Sequence, residues 1–152
     1  MIRGRASQAF WRDILVACIL IVDDDQFVRS LLRAVLEHQG YSVIEAESGA
    51  EGLQAYQTQP TDVVITDIQM PGMDGLEMSR QLQRAFPTAR IIAMSGGKTT
   101  LNMAKTLVQY TLAKPLCMEE LLETVRQLVS AARIPGGKHS SVATPNDIQV
   151  SA

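Results

Sequence analysis

The sequence lacks any apolar stretch of membrane-spanning length. Its longest uninterrupted run, Ile14 to Val22, has nine residues, about half of the roughly 18–20 that a span needs. A basic excess is also missing. Fourteen Lys and Arg stand against sixteen Asp and Glu, for a net charge of −2, which offers no surplus to neutralise a nucleic-acid backbone and sets DNA and RNA binding aside. Cysteine is nearly absent: Cys18 and Cys117 are too few to staple a secreted domain and show no CxxC spacing for zinc or redox work. Histidine is as scarce. His38 and His139 follow no strand-like run, so both are expected at the surface rather than in a site.

What is present suffices for one domain. The 152 residues are 46% apolar and 20% charged, enough to build a core and too hydrophobic for intrinsic disorder. At the N-terminus Leu15-Val16-Ala17-Cys18 imitates a lipoprotein cleavage box, but Arg12 and Asp13 interrupt the apolar region that a signal peptide requires. Residues 1–18 are therefore read as an extension, with Phe10 and Trp11 free to pack on the domain, and the protein is expected to be cytoplasmic. Residues 135–152, rich in Gly, Pro, Ser and Thr without periodicity, are read as a disordered tail.

From Ile19 to Arg133 the pattern alternates between short β-rich runs and helical periodicity. The runs are Ile19–Val22, Tyr41–Ala46, Asp62–Thr66, Arg90–Met94 and Tyr110–Ala113, several apolar on both faces, as strands covered on two sides must be. Between them Val28, Leu31, Leu32, Val35 and Leu36 form one helical stripe. Leu76, Leu82 and Phe86 suggest another, and Leu121, Leu122, Val125, Leu128 and Val129 define the last helix. Gly40, Pro60, Pro87 and Pro115 punctuate the joins. Five β-then-α units imply a parallel sheet with helices on both faces. Ligands in such sheets bind beyond the carboxyl ends of the strands.

Chemistry collects at those ends. Strand one runs into Asp23, Asp24 and Asp25; strand three ends at Asp67, strand four at Ser95 and strand five at Lys114-Pro115. Asp25 is read as the N-cap of the next helix. The other three aspartates exceed what one cap can use, and they repel: two unit charges about 4 Å apart interact by roughly 4 kcal/mol at an effective dielectric near 20. Lys114 offsets one charge, and a divalent cation brings the rest to neutrality. Oxygen donors without His or Cys point to Mg²⁺, or Mn²⁺ in vitro. Mg²⁺ beside a lysine and a hydroxyl suits a site that handles phosphoryl oxygens, where a carboxylate can itself accept the group.

Taken in order, ILIVDDD, DVVITDIQMPGMDGLE, IIAMSGG and TLAKP resemble the receiver domain of two-component response regulators. The resemblance covers about Ile19 to Arg133, and four motifs in register are far more specific than any one. It implies an α/β, three-layer (βα)5 flavodoxin-like fold with a five-stranded parallel sheet of order 2-1-3-4-5, over residues 19–134. It implies Asp67 as phosphoacceptor, with Mg²⁺ held by Asp23, Asp24, Asp67 and the backbone carbonyl of Gln69. Lys114 pairs with Asp67 and then with a phosphoryl oxygen, and Ser95 takes the place of the switch Ser/Thr. Pro71, Gly72, Asp74 and Gly75 match the turn after strand three, and Lys114-Pro115 matches a bond commonly cis in the family.

The implied partners are a sensor histidine kinase or histidine phosphotransfer protein as donor and an unknown downstream protein, with no nucleic acid or membrane. Only about 19 residues follow Arg133, so a stand-alone receiver signalling by protein contact is expected. Such a protein is not an enzyme, beyond Mg²⁺-dependent self-phosphorylation from a donor and slow self-dephosphorylation.

Two departures stand out. The switch aromatic of the family usually lies three residues before the lysine; that position is Thr111, and Tyr110, one place earlier, points to the other face of its strand. The segment from Ser95 to Lys114 is about one helical turn short, so helix four, over about 100–108, is expected to be brief. These departures motivate the alternative of a phosphorylation-independent interaction module. A haloacid-dehalogenase-like phosphatase wants a second Asp two residues on, where Gln69 cannot transfer protons. A flavin site wants a first loop that cradles phosphate, which Asp23-Asp24-Asp25 would repel.

Overall fold

The β-branched runs form strands and the periodic segments form helices. The computed structural model describes residues 16–132; the readings of Phe10, Trp11, His139 and the tail at 135–152 lie outside them. The strands are β1 (Cys18–Val22), β2 (Ser42–Ala46), β3 (Val63–Asp67), β4 (Ile91–Ser95) and β5 (Tyr110–Ala113). The helices between and after them are α1 (Gln26–His38), α2 (Gly49–Thr58), α3 (Gly75–Ala85), α4 (Lys98–Ala104) and α5 (Met118–Ala132). All strand pairs are parallel and the order is β2-β1-β3-β4-β5. The three-layer, flavodoxin-like fold expected from the sequence is the one observed.

Alternation along each strand divides the core in two. Ile19, Ile21, Val63, Ile65, Ile92 and Met94 face α1 and α5, where Leu32, Leu36, Leu121 and Val125 meet them. Leu20, Val22, Val64, Ile91 and Ala93 face the other way, onto Tyr56, Met78, Leu82 and Ala104 of α2, α3 and α4. Every residue of β3 and β4 is buried. Two central strands buried on both faces carry no outward polar position to spare, so their polar residues, Thr66, Asp67 and Ser95, fall at the carboxyl ends.

Some expectations shift. β1 begins at Cys18, whose N–H donates to Asp62 Oδ2 at 2.8 Å, so the sheet starts inside what was read as the extension. Leu31 does not join the buried stripe of α1: it is 43% exposed, and Phe27 one turn earlier is 75% exposed. Helix four is short, as expected, but it spans Lys98–Ala104 rather than 100–108. Gly97 brings the backbone into the helix early, and Leu107 and Val108 reach the core from a turn instead. Asp25 caps α1, its Oδ1 accepting from Phe27 N at 2.8 Å. The Lys114-Pro115 peptide is cis. Cys18 and Cys117, at opposite ends of the sheet, are both free thiols.

Candidate functional site

Adjacent parallel strands end at one rim, and β1, β3, β4 and β5 lie side by side in the sheet. Residues that follow or close these strands are therefore neighbours. Carboxylate oxygens of Asp23, Asp24 and Asp67 all lie within 4.8 Å of one another. Lys114 Nζ stands 3.2 Å from Asp67 Oδ1 and 3.9 Å from Asp23 Oδ2. Asp23 and Asp67 are buried, while Asp24 is exposed at the mouth. Ser95 is buried at the end of β4, and its Oγ accepts from Gly97 N at 3.1 Å. Gln69 is exposed on the loop two residues past Asp67.

The loop after β3 is shaped by two glycines. Gly72 has φ of +73°, a conformation side chains rarely adopt. At Gly75 a Cβ would sit 2.1 Å from the backbone carbonyl oxygen of Asp67, so only glycine lets α3 begin this close to the strand. Asp74 caps that helix, its Oδ1 accepting from Glu77 N at 2.8 Å. The match of Pro71, Gly72, Asp74 and Gly75 to a family turn thus has a steric basis.

Asp23 is only partly satisfied by the protein groups around it. Its Oδ1 accepts from Asp25 N at 2.9 Å, but its Oδ2 is buried without a hydrogen-bond partner among the described residues. Burial pushes the Asp23 carboxyl above its usual range; the Asp25 N–H opposes the shift, Asp67 and Asp24 add to it, and Lys114 opposes it. A buried, unpartnered carboxylate oxygen is costly unless something cationic meets it. Three converging carboxylates, with no His or Cys among them, form an all-oxygen donor set that fits a hard divalent cation.

One residue of the site was not singled out from the sequence. Arg29 Nη1 donates to the backbone carbonyl of Asp23 at 2.7 Å. An arginine in the second turn of an amphipathic helix reads as solvated surface, and the only hint was its position among the apolar residues of α1.

The chain matches the response regulator receiver domain family over residues 19–126. It is 35% identical over 133 residues to the response regulator MprA of Mycobacterium sp. (strain KMS), covering 86% of this chain and 58% of that protein. The Mycobacterium leprae (strain TN) MprA is 35% identical over 128 residues, covering 82% of this chain and 56% of that protein. The chain thus spans little more than half the length of these relatives. Among solved structures, a response regulator of Chloroflexus aurantiacus superposes with a TM-score of 0.72 at 30% identity, covering 76% of this chain and 98% of that one. TrrA of Thermotoga maritima, solved in complex with Mg²⁺-BeF, superposes at 0.71 with 32% identity, covering 74% and 99%. Sequence match and strand order agree, and the chain belongs to the receiver domain family of two-component response regulators.

Proposed function

We propose that this receiver is a phosphoacceptor, and that Asp67 is the residue modified. The observation that carries this reading is the 3.2 Å approach of Lys114 to Asp67 inside a carboxylate set whose Asp23 Oδ2 has no hydrogen-bond partner among the described residues. A carboxylate oxygen of Asp67 attacks the phosphorus of a phosphohistidine. The P–N bond breaks, the imidazole leaves with its electron pair and takes up a proton, and an acyl phosphate remains. Asp23, Asp24, Asp67 and the Gln69 carbonyl would hold Mg²⁺, which supplies charge neutralisation for the phosphoryl oxygens. The Mg²⁺-BeF bound by TrrA of Thermotoga maritima is in keeping with that assignment.

The remaining roles belong to side chains. Lys114 pairs with Asp67 before transfer and takes a phosphoryl oxygen afterwards, so that Asp67 is not held by an ammonium alone. The acyl phosphate carries nearly −2 where the carboxylate carried −1, and this added charge draws the Ser95 hydroxyl away from Gly97 N. The α4 start is thereby released and a protein-binding face is biased. The donor is a sensor histidine kinase or histidine phosphotransfer protein, and the output is contact with a downstream protein in the cytoplasm. No enzyme activity is assigned beyond self-phosphorylation and slow self-dephosphorylation.

Incubation with acetyl phosphate and Mg²⁺, read by intact mass, tests this reading. One added phosphoryl group is expected, lost in Asp67→Ala and without Mg²⁺; no addition to the wild type would overturn it. A second reading, a phosphorylation-independent interaction module, draws on Tyr110. Its hydroxyl donates to Gln127 Oε1 on α5 at 3.1 Å, on the face opposite Thr111, so this aromatic is not poised to follow Ser95. That reading would gain if the phosphorylated and unmodified forms bound a partner equally.

A further inference from the structure

We propose that Arg29 is a positioning residue for Mg²⁺ binding, acting by fixing the peptide group that joins Asp23 to Asp24. The proposal rests on the Mg²⁺ reading above and deepens it. Arg29 is only 12% exposed, and its guanidinium is engaged on two sides. Nη1 donates to the Asp23 carbonyl at 2.7 Å, and Nε lies 3.4 Å from Glu45 Oε1. Glu45 is itself held, its Oε2 accepting from Arg33 Nε at 2.6 Å, while Arg33 Nη1 reaches Glu37 at 2.8 Å. The chain of charges runs from the surface of α1 through β2 to the carbonyl of a candidate metal ligand.

The consequence follows from amide planarity. The Asp23 carbonyl and the Asp24 N–H belong to one rigid plane, so a donor on that carbonyl sets the orientation of both residues. The remaining anchors of Asp23 are its N–H, which donates to Ala46 O at 3.1 Å, and its Oδ1, which accepts from Asp25 N. With Arg29, the residue is pinned at backbone N, backbone O and one carboxylate oxygen, leaving Oδ2 toward Lys114 and the cluster. Without Arg29 the peptide plane can turn, and the two carboxylates lose their fixed convergence. Glu45 holds the guanidinium in place and contributes no atom to the cluster.

Mg²⁺ titrated calorimetrically into wild type, Arg29→Met, Arg29→Lys and Glu45→Gln tests the proposal, alongside acetyl phosphate incorporation across Mg²⁺ concentrations. Arg29→Met is expected to weaken the Mg²⁺ Kd by about tenfold or more, in the range for groups that orient metal ligands. The half-saturating Mg²⁺ concentration should rise more than the maximal incorporation rate falls. Arg29→Lys, which keeps the charge and a donor, should recover part of the affinity, and Glu45→Gln should lose less than Arg29→Met. A lowered melting temperature with a wild-type Kd in Arg29→Met would overturn the proposal, leaving a structural role only. Should Arg29→Met not fold, wild-type Kd values in both other variants would overturn it equally. A wild type that binds no Mg²⁺ while still taking up phosphoryl would remove the metal reading and this inference together.

Discussion

Asp23 carries a carboxyl whose ionisation the fold opposes. Its carboxyl sits above its ordinary value of 3.8, chiefly through burial. A carboxyl that holds its proton more tightly when folded favours folding at acid pH, and that contribution declines as pH rises from about 3.8 through the folded value. The half-buried Glu77 and the exposed Glu123 run the other way: their hydrogen bonds to Gln81 and Arg126, respectively, lower their carboxyls, so their contributions are lost as pH falls. A raw pH profile therefore mixes both signs, and a difference profile isolates Asp23. In EDTA, Asp23→Asn should match the wild type in melting temperature at the acid end and gain on it as pH rises through the Asp23 window. With Mg²⁺ saturating, the order should reverse at neutral pH, because the variant has lost a ligand charge. A variant never more stable than wild type in EDTA would show that the buried carboxylate carries no such penalty.

At the scale of elements, the junction between β3 and α3 is the tightest in the site. A methyl group on Gly75 would lie 2.1 Å from the Asp67 carbonyl oxygen, whereas one on Gly96 meets nothing within 4 Å. Gly75→Ala must therefore push α3 away from the strand that carries Asp67, at a cost of about 1–3 kcal/mol for overpacking. Gly96→Ala should stay within about 0.5 kcal/mol. Urea midpoints check the stabilities, and acetyl phosphate incorporation checks the site: Gly75→Ala should be slowed, because α3 and Asp67 share that contact. The helix caps offer a calibration. Asp25→Ala removes the bond to Phe27 N and should cost about 1 kcal/mol without changing which residue is phosphorylated. Elements were legible in the sequence where patterning and punctuation agreed. β5 was read to the residue, because a four-residue alternating run stands between Gln109 and Lys114. Helix α4 was misplaced because Gly96-Gly97 carries no side-chain cap to mark a start, and its apolar residues serve a turn as well as a helix. Asp23, Asp24, Asp67, Ser95 and Lys114 were legible because parallel strands announce their carboxyl ends by a change from apolar to polar. Arg29 was not, since its partner within the site is a backbone carbonyl, which leaves no trace in side-chain pattern.

The whole molecule turns a local site into a global property. The clustered carboxylates close off the ends of β1 and β3, and both strands lie in both halves of the core. Separating Asp23 from Asp67 thus requires breaking the centre of the sheet, so an ion that binds only the converged carboxylates must stabilise the domain as a unit. Mass action sets the size: a ligand at about 100 times its Kd adds roughly 2.7 kcal/mol, and each further tenfold about 1.4 kcal/mol. For a domain of this size each kcal/mol moves the melting temperature by several degrees. Titrating Mg²⁺ should therefore raise the melting temperature in proportion to the logarithm of its concentration once above Kd. Sodium at matched ionic strength should give a much smaller rise, since screening relieves repulsion between buried charges poorly. Asp67→Ala should keep the response with its onset moved to higher Mg²⁺ concentration, because Asp23 and Asp24 still converge but bind more weakly, while Asp23→Ala combined with Asp24→Ala should abolish it. A Mg²⁺ response that survives in the double variant would mean that the ion acts elsewhere on the protein, and the convergence at the sheet's rim would no longer account for its binding.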